Sequence, residues 1–406
     1  MQTYARLACG FVLLAACAAP SISAAEPASL ADVFAQGKFS LNARLRYEGV
    51  EQTALRDADA LTLRTRLGFA TAPWQGLKAL VEAEHIVAAD GDRYSQAGLN
   101  PAATGRAVVA DPETIEINQV FLAYTAQKTT ATLGRQRLVL DNARFIGDVG
   151  WRQNQQTFDA LVVQSAAVPA TTLTYAYLDQ INRVFSARHP QGKWQSDSHV
   201  FNASYTGFAA GTLTGYAYLL DFAKPAAANS CATYGASFAG TRPLSADLKL
   251  AYRAELATQT DSGASTLNYS APYTALSAGL IAKPGTLTLG YEQLGSDHKI
   301  GFKTPLATLH AFNGWADLFL ATPAAGLQET YLRATADLPE KIALTASYSR
   351  FETDIGSTRL GKEFDAQLSR KFGKSTTGLV KFANFRRDSL TVPNVQKIWA
   401  QVEVAY

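Results

Sequence analysis

KFSLNARLRYE, Lys38 to Glu48, alternates at every position. Phe39, Leu41, Ala43, Leu45 and Tyr47 fall on one side, while Lys38, Ser40, Asn42, Arg44, Arg46 and Glu48 fall on the other. A period of two marks a β-strand, because successive side chains point to opposite faces. The next segment, from Ala60, sets Leu61, Leu63, Leu67 and Phe69 against Arg64, Arg66 and Gly68. A soluble sandwich also alternates, but its strands usually run ~5–6 residues. Segments of about ten to twelve residues recur here, which suits a tilted membrane strand of ~9–11 residues. The apolar side then meets lipid and the charged side an aqueous lumen.

Working outward, the connections alternate in length. Short turns fall at 73–76, 127–129, 167–170, 207–211, 243–246, 283–285, 337–340 and 373–375. Longer polar connections fall at 50–59, 86–113, 138–154, 183–198, 223–230, 260–265, 295–326, 353–359 and 388–394. Eight turns and nine loops imply about eighteen strands, an even number that brings both chain ends to one side. The expected fold is all-β: a porin-like transmembrane antiparallel β-barrel with short periplasmic turns and long extracellular loops. The last segment agrees. Ile398, Ala400, Val402, Val404 and Tyr406 share one face, with Lys397, Trp399, Gln401 and Glu403 on the other. Closure pairs every backbone group without helices or disulfides. Tyr47, Trp74, Tyr124, Tyr175, Tyr177, Tyr216, Tyr218, Tyr252 and Tyr348 are expected in the interfacial aromatic bands.

The N-terminus reads as a secretory signal over residues 1–25. Arg6 is its positive region, Leu7–Ala19 its apolar run and Ser23-Ala24-Ala25 its cleavage site. Residues 26–406 then form a single barrel domain. Leu14-Ala15-Ala16-Cys17 offers a competing lipoprotein signal with Cys17 lipidated. Signal removal leaves Cys231 alone, so no internal disulfide is available. Charged residues are 17% of the chain with a net charge of +3, which argues against nucleic acid as a partner.

Arg44, Arg46, Arg64 and Arg66 fall on adjacent strands and on the lumen side. Guanidinium binds carboxylates through paired hydrogen bonds, so such a wall favours anions. Glu48, Glu82 and Glu84 lie near enough to pair with it, and mutual neutralisation stands beside selectivity as a reading. Between two strand-like runs, Gly134–Ala160 adds Arg135, Arg137, Arg144 and Arg152, placed to fold into the barrel mouth. Alternation puts Arg135 and Arg137 on the side of Leu133, which should face lipid. Either a bulge at Gly134 re-aims them or the strand has left the membrane there. Asp141 and Asn142 of this stretch, with Phe312, Trp315 and Asp317 of 295–326, are the expected constriction or gating residues. The second loop is too apolar for bare solvent. No metal-ligand spacing links the five histidines and no G-x-S-x-G nucleophile motif is present. The reading is therefore a passive channel, not an enzyme, with no cofactor.

GRQRLVLDNARFIGDVGWRQNQQTFDA (Gly134–Ala160) and FKTPLATLHAFNGWADLFLATPAAGL (Phe302–Leu327) resemble signatures of the alginate-export family of outer-membrane proteins. APWQGLKALVEAEH (Ala72–His85) is also similar. The resemblance implies an eighteen-stranded barrel with an arginine-rich lumen that passes an anionic polysaccharide. The expected setting is the outer membrane of a Gram-negative bacterium, with outer-membrane lipid and periplasmic export proteins as partners. The alternative is a porin for small anionic or sugar solutes.

Overall fold

The computed structural model describes residues 26–406. The signal segment, with Cys9 and Cys17, lies outside the described residues. A short helix, α1 (Leu30–Ala35), is followed by β1 (Lys38–Gln52), β2 (Ala58–Ala70), β3 (Leu77–Ala88), β4 (Thr114–Ala126), β5 (Thr129–Gln136) and β6 (Thr157–Ser165). Then come β7 (Thr171–Asn182), β8 (Lys193–Phe208), β9 (Gly211–Leu220), β10 (Cys231–Pro243), β11 (Lys249–Asp261) and β12 (Ser270–Ala282). The chain ends with β13 (Gly285–Leu294), β14 (Leu327–Leu338), β15 (Ile342–Glu352), β16 (Arg359–Phe372), β17 (Thr376–Arg387) and β18 (Val395–Ala405).

The eighteen strands form one antiparallel sheet in which each strand pairs with its sequence neighbours. Closure is made by β1 and β18, in register from Asn42↔Ala405 to Gln52↔Val395. No edge is left, so the hydrocarbon layer meets side chains only. The alternation seen in the sequence decides which way each residue faces. In β1, Phe39 is 84% exposed, whereas Arg46 is 1% exposed and Glu48 is fully buried. In β18, Ile398 and Val402 face out, while Lys397, Trp399 and Gln401 are buried inside. Strands extend farther than the sequence suggested at the loop end: β1 runs on to Gln52 and β8 begins at Lys193.

The barrel has its own apolar core, inside the lumen beneath the long loops. Phe145 packs against Tyr216, Tyr218, Tyr273 and Phe302 at ring-centroid distances of 5.3, 6.1, 5.2 and 5.9 Å. This corrects the placement of Tyr216 and Tyr218 in the outer aromatic bands. Both sit at inward positions of β9 and are buried. A tyrosine serves equally as girdle or core, and only parity within the strand decides which.

Gly134 also differs from expectation. Pairing runs unbroken through Leu122↔Leu133, Phe121↔Gly134 and Val120↔Arg135, so no bulge lies there. Instead Gly134 takes φ 124° in close contact with the Val120 carbonyl, where a Cβ would stand 2.4 Å from that oxygen. The bulges are at Glu82/Ala83 and Asp159/Ala160.

The lipid-facing assignment has a direct check. Leu289 faces out in the middle of β13 and is 59% exposed. Leu289→Arg should destabilise the barrel by ~2–4 kcal/mol, the cost of a cation near the bilayer midplane. Reversible urea unfolding in lipid vesicles measures this, and a shift near zero would place Leu289 elsewhere.

Candidate functional site

Two of the long connections turn into the barrel, residues 137–156 after β5 and 295–326 after β13, and they are bonded to one another. Gly147 N–H donates to the Leu306 carbonyl at 2.8 Å and Thr308 N–H to the Ala143 carbonyl at 3.0 Å. The Gln156 amide reaches both the Gly147 and Leu306 carbonyls, at 2.7 and 3.2 Å. The loops meet so closely at Gly147 that a Cβ there would lie 2.2 Å from Thr308 Oγ1. Phe302, Leu306, Ile146 and Gln153 are fully buried, so these loops fill the outer part of the lumen.

The wall beneath them carries the arginines of β1 and β2. Arg44 binds Glu403 at 3.1 Å and donates to the carbonyls of Gly150, Trp151 and Arg152 at 3.2, 3.2 and 3.4 Å. Arg66 pairs with Glu84 and donates to the Gln153 carbonyl at 3.3 Å. Arg46 holds Gln401 at 3.0 and 2.7 Å, lies 3.6 Å from Asp111 and covers the Trp151 ring at 4.1 Å. Arg64 pairs with Asn42, and with Glu403 at 3.2 Å. Thus Arg44 and Arg66 clamp the first loop through its backbone carbonyls. The charges are shared and not matched one to one. Arg44 and Arg64 share Glu403, and among the described residues no carboxylate lies within 4 Å of Lys381 Nζ.

A second node joins both loops to the wall. Asp317 accepts from Arg152 at 2.9 Å, from Lys397 at 2.7 Å and shares a 2.7 Å bond with His310 Nδ1. Arg152 also binds Glu48 at 2.9 Å. Lys381 lies 2.7 Å from His310 Nε2, which requires a neutral imidazole accepting there and donating to Asp317. Trp151 stacks on His310 at 4.6 Å, while Lys381 Nζ lies 3.5 Å over the Trp315 ring and 4.2 Å over that of Trp151. Burial pushes the His310 pKa well below the ordinary imidazole range, against the pull of Asp317. Burial would push the Asp317 carboxyl up, but His310, Lys397 and Arg152 outweigh it and hold the group well below the usual carboxylate range.

The residues singled out from sequence divide accordingly. Arg44, Arg46, Arg64, Arg66 and Arg152 come together around the first loop. Arg144 lies deeper, bonded to Glu292 at 2.6 Å and Asn313 at 3.0 Å, with its guanidinium 4.7 Å over Phe312. Asp141 pairs with Arg253, and Asn142 accepts from the Arg144 N–H at 3.1 Å. Trp315 and Asp317 belong to the second node. Arg135 departs from the expected set: it keeps the side of Leu133 and binds Asp159 at 2.7 and 2.9 Å near the end of β5. Its polar partners, Asp159 and the Ile117 carbonyl, take no part in the cluster. Arg137 lies beyond the strand and is exposed.

Of the nearby carboxylates, Glu84 pairs with the wall as expected. Glu48 goes to Arg152, and Glu82 binds Asn118 at 2.6 Å and Gln119 at 3.0 Å. Sequence reasoning missed Glu403, Asp111, His310, Lys381 and Lys397. The inward parity of β18 already put Lys397, Trp399 and Glu403 on the lumen face, which was the available signal. Asp111 sits in a long loop, where no periodicity operates.

The sequence profile described as alginate export matches residues 36–260. No curated protein matches the sequence. Among solved structures, Acinetobacter baumannii OccAB3 is similar at 16% identity and TM-score 0.73, covering 92% of this chain and 99% of that one. Acinetobacter baumannii OccAB2 gives 15% identity and TM-score 0.74, covering 92% and 98%. Pseudomonas aeruginosa OpdK, in a structure with vanillate, gives 16% identity and TM-score 0.70, covering 92% and 99%. At these identities the likeness concerns the fold.

Two outcomes follow from the second node. Arg152→Ala leaves buried Glu48 and Asp317 to share Lys397 alone as a cation, a loss of ~3–5 kcal/mol for a broken buried pair. Faster proteolysis within 137–156 and 295–326, together with noisier single-channel current, is the expected readout. Acid should weaken the same node. A released imidazole titrates near pH 6.5, whereas buried His310 resists protonation, so the contact is full above about pH 6.5 and is lost as pH falls toward the folded value. Current noise rising below that pH in wild type, but not in His310→Gln, would bear this out.

Proposed function

The chain belongs to the alginate-export family, and on that premise we propose that this outer-membrane channel passes small anionic solutes by diffusion. Two loops bonded to each other and clamped to an arginine-bearing wall support this reading. A filled outer lumen suits a small solute, because a stiff polymer needs a wide continuous bore. The wall cations suit a carboxylate, which they can meet through oriented N–H groups. Vanillate, the compound named with the OpdK structure, is a small carboxylate of this kind. The solute gradient supplies the driving force, and no catalytic step is proposed.

The family match favours a second reading, export of an anionic polysaccharide such as alginate, with periplasmic export proteins as partners. That reading requires 137–156 and 295–326 to swing clear together.

Planar-bilayer recording separates the two. Wild type should prefer anions in a salt gradient, most clearly at low ionic strength, and should pass small monocarboxylates while excluding uronate oligomers. Arg44→Gln combined with Arg64→Gln removes both cationic partners of Glu403 and should move the reversal potential toward cations. Free passage of the oligomers would favour export. A wild-type preference for cations would reject anionic solutes altogether.

A further inference from the structure

An inward-facing arginine stands apart from the clamped wall. In β14 the side chains of Glu329, Tyr331, Arg333 and Thr335 share the lumen side, because Leu332 between them faces lipid and is 47% exposed. Arg44, Arg46, Arg64, Arg66 and Arg253 each lie within 4 Å of a carboxylate. Among the described residues Arg333 has no such neighbour and donates no hydrogen bond to the protein. Its Nε is shut from solvent without a partner, whereas its terminal nitrogens stay open to the lumen. A buried donor left unpaired is uncommon and calls for an explanation.

The guanidinium is nevertheless held in place. Gly290 opposes Tyr331 across β13 and β14, and the Tyr331 ring fills the space where a Cβ of residue 290 would stand. Arg333 Cζ lies 5.1 Å over that ring. Stacking on an aromatic face keeps the guanidinium plane and aims its terminal N–H groups. Thr288 opposes Arg333 on β13 and Ser347 opposes it on β15. Parity puts the Thr288 and Thr335 hydroxyls on the same lumen face. The nearby acids are otherwise engaged. Glu329 accepts from Ser349 at 2.7 Å and Asn313 at 3.1 Å, and Asp365 accepts from Ser347 at 3.3 Å. Asn313 belongs to the second loop, so Arg333, farther along β14 toward its short turn, lies on the periplasmic side of that contact.

We propose that Arg333 docks the carboxylate of a small hydroxylated acid, with Thr288 and Thr335 bonding to its hydroxyls. This docking point presupposes the channel for small anions proposed above and narrows its substrates to hydroxy acids. A carboxylate supplies the two acceptors that the terminal N–H groups lack, in parallel geometry. The wall arginines can take one only by exchanging Glu403, Asp111 or Glu84. The flanking hydroxyls add the preference, because a site that bonds a substrate hydroxyl disfavours the analogue lacking it.

The test is single-channel recording in planar bilayers with glycerate or propionate added to a chloride electrolyte. Glycerate should block the chloride current of wild type in a concentration-dependent way, and propionate should bind about fivefold more weakly. Arg333→Gln should weaken the glycerate block about tenfold. Arg333→Lys keeps the charge without the paired N–H geometry and should recover only part of it. Thr288→Val with Thr335→Val should remove the preference for glycerate while keeping the propionate block. Leu332→Ala, on the lipid face, should behave as wild type does, and heat-modifiable migration in SDS reports folding of each variant. Equal glycerate block in wild type and Arg333→Gln would overturn the docking point and leave anion diffusion standing. Equal block of wild type by glycerate and propionate would overturn the assignment to hydroxy acids. A wild type that prefers cations and shows no glycerate block would overturn both the docking point and the anion channel.

Discussion

Backbone pairing in hydrocarbon is the constraint from which the rest of this structure descends. A membrane interior offers no water to N–H and C=O groups, so a sheet must close. Here closure rests on the register of β1 with β18. Once it is made, a strict period of two sorts every residue between lipid and lumen. Polar side chains of all eighteen strands then converge on one enclosed space, where charges must find one another or water.

That enclosure explains why the arginines do two things. Taking a guanidinium out of water costs several kcal/mol, and only well-placed partners repay it. Arg44 and Arg66 find them partly in loop carbonyls, which fixes 148–153 against the wall. The loop in turn delivers Arg152 to Glu48 and Asp317, and so ties the second loop to the first. On the function proposed, selectivity and architecture rest on the same side chains. Pairing with carboxylates, weighed from sequence as the alternative to selectivity, describes much of the wall: Arg44 and Arg64 meet Glu403, Arg46 meets Asp111 and Arg66 meets Glu84.

The fold was legible because lipid enforces periodicity. Lys38–Glu48 and Lys397–Tyr406 display facing, length and closure in their residue order alone. The inward course of 137–156 and 295–326 was legible too, from arginines between strands and from Phe312, Trp315 and Phe319 in a loop. Partners were not. Glu403 is separated from Arg44 by almost the whole chain, and Asp111 reaches Gln153 and Arg46 from a loop without pattern. Tyr216 and Tyr218 misled because aromatic rings suit both faces of a barrel. Arg135 misled because its motif is arginine-rich, although its parity with Leu133 already argued against the lumen.

On the function proposed, a solute carboxylate would meet unequal resistance within the cluster. To displace Asp317 it must break bonds to Arg152, Lys397 and His310 while freeing a nearly buried charge. Glu403 differs. Its side chain is 23% exposed and its two arginine partners come from neighbouring strands. A carboxylate that keeps some water can yield its hydrogen bonds at smaller cost than a dry one. On that proposal, exchange at Arg44 and Arg64 would be the cheap step, with the Asp317 node as the fixed frame. Burial and partners act together: Asp317 is held by Arg152, Lys397 and His310 at 5% exposure, and Glu403 by Arg44, Arg64 and Asn42 at 23%.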